Sequence, residues 1–565
     1  MTRLTVPEQI ERPRALAVGG VVLLWLGYAT LQTLSTLGVL GEGLYAVVSF
    51  VPGLLGVGIL LWSGHSPEAC FLQVRRPSKA GLAVQAGVML FALAAILPAG
   101  TRRNSMIRHL SLYVICSLLV CLIGGCVSPT QEPVETTAPL PGPALSTPPA
   151  EPLPSPLCRP GDPQPPVLTD LEVRKSPALD EPSPRVPFRD PVFGSCLVRV
   201  TDRRADLSPA DPSQGIKNEY ARVQAFNADG RYLLLRSIDA NWYLYDARSL
   251  RPLAQLPLGD EPRWDAQDPD LITYLDEMRL MAYDVGTGRA ELIHDFGGDV
   301  PGPAIAVWTR YEGRPSRDTR IWGLMAEDEE WLPVAFLVYD RDADRVTVRD
   351  MRGVPGIEDD VDHVTVSPLS TYFLASFDRA CDEGALGTDA RPCGLMVYDR
   401  ELQQGRGLLR IIGHYDVALD ADGREVVVYQ DIDTDHIALL DLSTGQVTPL
   451  WAIDFSHTPI GFHFSGLAYD RPGWALVSTY SGGDPDAFTW MDDQVFVLEL
   501  KAGGQVLRLA HTHSRVDPEQ EHDYWAEPHA TTNRDLTRVL FTSNWGRSGS
   551  EQVDAYLIET GPIWP

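Results

Sequence analysis

Positive charge is what this sequence has too little of. Its 565 residues carry 75 Asp and Glu against 47 Lys and Arg, a formal net charge of −28. Displacing the counterions of phosphate takes an excess of cations. General nucleic-acid binding is therefore excluded, as is a basic peripheral protein held electrostatically on a membrane. Reaction motifs are missing as well. No G-x-S-x-G elbow, H-E-x-x-H helix, Walker A loop or dinucleotide fingerprint occurs. Ser465 precedes Gly466 but lacks the first glycine of an elbow. Asp431, Asp433 and Asp435 imitate the start of a calcium loop without its glycine and distal glutamate. That spacing reads as a solvated hairpin.

Hydrophobic residues make up 44% of the chain, enough to bury a core, and the length implies several domains. Four regions differ in kind. Residues 1–105 hold three uncharged apolar runs, Ala15–Leu34, Leu44–Trp62 and Ala80–Ala99, each near the ~20 residues that span a bilayer. Arginines around the first two runs put the N-terminus inside, and Arg102, Arg103 and Arg108 then fall on the wrong side of the third. The conflict disappears if residues 106–126 are a separate export signal. Met106 opens a basic start, a short apolar stretch and a small-residue end. Its last residues, Ile123-Gly124-Gly125-Cys126, resemble the bacterial lipobox, which implies acylation of Cys126. A fourth membrane helix is the alternative. Residues 127–186 form a proline-rich linker: 14 of the 46 prolines fall between 128 and 166, so this part favours extended polyproline-II and builds no core. These features place the protein at the cell membrane, with everything after the linker on the extracytoplasmic side.

Residues 187–565 read as short strands and turns, with no long amphipathic helix. A hydrophobic residue followed by an acid and a turn recurs seven times: Tyr245-Asp246, Tyr283-Asp284, Tyr339-Asp340, Tyr398-Asp399, Leu440-Asp441, Leu498-Glu499 and Ile558-Glu559, at intervals of 38 to 60 residues. Upstream of several lies a strand with an Asp-Gly type of turn, as in FNADGRYLLL and LDADGREVVVY. Four strands per unit, repeated radially, give an all-β, seven-bladed β-propeller. The seventh unit runs out of chain, so the unassigned strand Leu197–Thr201 is expected to complete it. These units resemble the TolB/WD40-like bacterial propellers, a fold that hosts binders, hydrolases and lyases alike.

Cysteines fit an exported domain. Cys381 and Cys393 bracket a polar loop that a disulfide would close, and Cys158 pairs with Cys196 by elimination. Ten of twelve histidines lie in the propeller. His363, His414, His463 and His529 fall near the starts of innermost strands, where they can converge on the channel mouth. Imidazoles from different blades suit a divalent transition metal, for which His414, His463 and His529 are the candidate ligands. Arg222, Arg263 and His363 are candidates for ligand binding, since guanidinium groups take carboxylate or sulfate bidentately. In this respect the set is similar to propellers of the oligogalacturonate-lyase type. That resemblance implies a His-ligated metal that neutralises a uronate carboxylate while a basic residue removes the adjacent proton. His511, His513 and His522 form a further candidate cluster in a loop between blades. Two functions stay open: an anchored propeller that binds a glycan, peptide or protein, and a metal-assisted lyase or hydrolase of an acidic polysaccharide.

Overall fold

The computed structural model describes Cys158 and residues 168–357, 361–457 and 459–560. The apolar runs, the signal, Cys126 and most of the proline-rich stretch lie outside these residues. Among the described residues no helix is long and apolar enough to cross a membrane.

Seven antiparallel sheets make seven blades of a propeller. The first holds Ile216–Lys217, Tyr232–Ser237, Trp242–Asp246 and Pro252–Leu256, from the innermost strand outward. The other innermost strands are Asp260–Trp264, Ala306–Trp308, Val361–Val366, Tyr415–Leu419, Ile460–Ser465 and Thr531–Thr532. Each recurring acid ends the third strand of its blade, as Asp246, Asp340 and Asp441 do. There the carboxylate accepts backbone N–H bonds from the turn: Asp246 from Ser249 at 2.6 Å, Asp441 from Ser443 and Thr444 at 2.9 Å. The preceding Tyr245, Tyr339 and Tyr398 are buried between blades. The repeat is thus a buried ring plus an Asx turn that fixes the hairpin.

The ring closes as the strand arithmetic demands. Cys196–Arg199 pairs with Asp554–Glu559, Leu197 opposite Ile558, and Phe188–Arg189 adds a fifth strand outside it. Leu197 packs with Val497, Leu509 and Phe541, so the closing strand shares a core with the sixth blade. Arg199 and Arg203 bind the buried Asp554, the first at 2.8 Å, and Thr201 donates to it at 2.7 Å. A buried carboxylate with two guanidinium partners and a hydroxyl is satisfied only when the ends meet, so this cluster specifies closure.

Residues 168–186, inside the expected linker, are bound to the propeller. Arg508 N–H donates to Leu168 O at 3.0 Å, Trp545 Nε1 donates to Leu179 O at 2.9 Å, and Glu181 bridges Arg203 and Arg547 at 2.8 Å each. This strap crosses the sixth and seventh blades. Both disulfides, Cys158–Cys196 and Cys381–Cys393, are formed. Asp431 to His436 is an exposed hairpin in which Asp433 pairs with Arg410, in keeping with a solvated turn.

Candidate metal centre at the channel mouth

Loops entering the innermost strands meet at one mouth of the channel. Along Ile460–Ser465, alternation puts Phe462 and Phe464 in the apolar core shared with the fifth blade and turns His463 the other way. There it meets His529 of the seventh blade, ring centroids 4.2 Å apart. His414, just before the fifth innermost strand, stacks on His463 at 4.7 Å. The sequence brings in a fourth group that histidine spacing did not reveal. A short 3₁₀ turn, Glu521–Ala526, ends where Pro528 forbids its continuation. This leaves Glu527 extended and aimed at the imidazoles. Its Oε2 lies 2.8 Å from His463 Nε2 and 3.6 Å from His529 Nε2. The ligand atoms of His463, Glu527 and His529 all fall within 4.8 Å of one another.

His529 is fully buried, and neither of its ring nitrogens has a hydrogen-bond partner. An unsatisfied buried polar group costs about 1–3 kcal/mol, a cost that a ligand at these nitrogens would remove. His414 Nδ1 donates to the Phe462 carbonyl, which leaves the lone pair of Nε2 in the neutral ring for a metal. Orientation through the other ring nitrogen is what metal-bound histidines commonly show. Burial holds His463 down to about 3 and His414 down to about 4, and pushes His529 well below its ordinary value. All three are neutral at pH 7, the form that ligates. Burial raises Glu527 to about 7 against the opposing pull of His414. Two imidazoles, a carboxylate and a third imidazole alongside fit a divalent transition ion.

Arg222 and His363 meet in a second group beside the first. Arg222 Nη1 lies 2.5 Å from His363 Nε2 and 3.1 Å from Glu312, and His363 Nδ1 bonds Asp362 at 2.8 Å. Glu312, Asp362 and His363 have the makings of a metal cluster, but the guanidinium stands among them as their cation. Arg222 also rests on the Tyr415 ring at 4.5 Å. Lys217, in the first innermost strand, is 2% exposed and donates to Glu219 O at 2.9 Å, with the Trp525 ring 5.7 Å away. Burial lowers its ammonium to about 7.

The other candidates lie elsewhere. Arg263 donates to the carbonyls of Pro262, Tyr311 and Gly313. With Arg222, Arg314, Trp264 and Tyr469 it lines a cavity of about 290 Å³, walled largely by turns between first and second strands, so Arg222 borders both this cavity and the His363 group. His511 and His513 are held by the strap, on Arg174 O and Ser176 Oγ, and His522 pairs with Glu551. None of these three reaches the channel cluster. Glu527 and Lys217 escaped sequence reasoning; the E-P-H triplet ending at His529 was the one local signal.

No family model and no curated protein matches this chain. Solved structures similar in chain trace include an oligogalacturonate lyase in complex with manganese, 17% identical, covering 67% of this chain and 97% of that one with a TM-score of 0.47. An oligogalacturonate lyase from Vibrio parahaemolyticus is 14% identical over 67% and 97% of the two chains, at 0.45. The β-propeller domain of a Cps50 (Swd1) protein is 12% identical over 60% and 96%, at 0.36. These are likenesses at low identity, and they assign no activity to this chain.

Proposed function

We propose that this protein is a membrane-anchored, extracytoplasmic propeller that binds an acidic glycan at its channel mouth. A divalent transition metal is held there by His463, His529 and Glu527, with His414 as a further donor. The buried His529, whose ring nitrogens make no hydrogen bond and whose Nε2 faces Glu527 at 3.6 Å, carries this reading. Lipidation at Cys126 would supply the anchor. A metal in this position contributes Lewis-acid neutralisation of a bound carboxylate.

The same residues support an elimination on a uronate. Arg222 adds fixed positive charge at the mouth; of the two groups there with near-neutral proton affinity, Glu527 is assigned to the metal, which leaves Lys217 as the base. In such a step the amine takes the proton next to the carboxylate. The double bond forms as the C–O bond to the departing sugar breaks, and the departing oxygen takes a proton from solvent. Incubation of the purified protein with polygalacturonate and manganese, zinc or nickel tests both parts. Metal-dependent binding, lost with chelator and in His529→Ala, is expected, together with the ultraviolet absorbance of an unsaturated product. Binding without that absorbance leaves a glycan receptor. No binding under any metal refutes the reading.

A further inference from the structure

An aromatic ledge stands on the same face, in the third blade, outside the metal cluster. Trp308 ends the innermost strand, Tyr311 follows it, and Trp331 comes from the turn between the second and third strands, Ile321–Glu327 and Pro333–Asp340. The Trp308 ring lies 5.3 Å from Tyr311 and 5.6 Å from Trp331, inclined to both. Tyr311 is 45% exposed and Trp331 47%, unusual for rings of this size in a molecule that buries most of its aromatics.

The backbone is forced into position to present them. Arg310, Tyr311 and Trp331 have φ of 61°, 69° and 61°, and Glu261 beneath them has 50°. Bulky residues avoid this left-handed region, at a cost of order 1–3 kcal/mol each. The buried Glu261 carboxylate holds the turn by accepting from Thr309 N at 2.9 Å, Thr309 Oγ1 at 2.6 Å and Tyr311 N at 2.7 Å. Arg310 is tied to Glu327 at 2.9 Å and to the Val361 carbonyl.

Charge selects the guest. Glu329 and Glu330 directly precede Trp331, and Asp260 opens the innermost strand of the neighbouring blade; all three are exposed and form no ion pair among the described residues. Asp260 acts on the Tyr311 hydroxyl electrostatically. Two cations act at the ledge and both are committed: Arg310 is paired with the buried Glu327 and sits 6.0 Å from the Trp308 ring, and Arg236, which acts on Tyr311 and Asp260, is paired with Glu219 at 3.0 Å. Electron-rich ring faces flanked by unpaired carboxylates attract an organic cation and repel an acid. We infer that Trp308, Tyr311 and Trp331 form a docking site for a basic peptide segment, with a lysine or arginine side chain laid against the rings. The site is independent of the metal reading and suits the net charge of −28.

Titrating the purified protein with a short capped lysine-containing peptide, followed by tryptophan fluorescence and calorimetry at low salt, tests this. Binding is expected, at least about fivefold weaker for the same peptide with norleucine in place of lysine. Trp331→Ala and Tyr311→Ala should each weaken it several-fold. The double variant Glu329→Gln/Glu330→Gln, which leaves the rings intact, should weaken it and flatten its salt dependence. Equal binding of the norleucine peptide, tighter binding of choline or methyl glucoside than of the lysine peptide, or no binding at all would overturn the proposal.

Discussion

At His529 the cost of an unsatisfied imidazole and the gain from a ligand can be separated by experiment. Without metal, His529→Leu removes a buried polar group of similar bulk, so it should leave stability unchanged or raise it by about 1 kcal/mol. With saturating metal the order should reverse, because only the unmodified protein gains binding free energy. Thermal melts of both proteins with chelator and with metal check this; a variant less stable than the parent under both conditions would mark His529 as purely structural. Lys217 makes a pH-dependent prediction. The unfolded lysine keeps its proton up to the ordinary 10.5, whereas the folded one keeps it only to about 7. Between those values the unfolded chain binds more protons, so stability rises with pH. Lys217→Met should stabilise the protein most below pH 7, by of order a few kcal/mol. The gain should vanish as pH approaches 10.5. A gain that is flat across this range would contradict the burial argument.

Among the elements, the seventh blade and the strap make separate predictions. Deleting the chain through Asp202 removes the strand opposite Asp554–Glu559 together with Arg199 and Thr201, two of the partners of Asp554, and should abolish cooperative unfolding. Deleting only through Pro184 leaves that strand but strips Glu181 from Arg203 and Arg547 and uncovers Trp545. Such a protein should still unfold cooperatively, at a lower temperature. Circular dichroism melts of the two truncations distinguish these outcomes. Cys381→Ser/Cys393→Ser opens a loop whose ends are 12 residues apart, and should cost about 2–3 kcal/mol. That difference should disappear when both proteins are melted in reductant.

The blades were legible because each repeats a buried ring and a turn-capping acid, local features that a sequence displays. Closure was legible because strand arithmetic left one strand over. The candidate metal site was only half legible. His414, His463 and His529 are placed by strand starts, but Glu527 enters through a loop whose direction Pro528 decides. Arg263 lines a separate cavity from the histidine cluster. It lies in the second blade's inner strand, and its guanidinium is spent on the backbone carbonyls of Tyr311 and Gly313.

For the molecule as a whole, the proposed anchor at Cys126 would be followed by a proline-rich sequence and then by a strap fastened to a closed ring. Mass spectrometry of the mature N-terminus should find a lipid-modified Cys126, and an intact chain beginning at Met1 would refute the anchor. The central claim is the metal in the channel, and elemental analysis of the purified protein is its most direct test. About one manganese, zinc, nickel or related ion per chain is predicted, retained through desalting and lost in Glu527→Gln and His529→Ala variants that keep the circular dichroism of the propeller. A protein that carries no such ion, takes up none when offered, and melts at the same temperature with and without it would contradict the account.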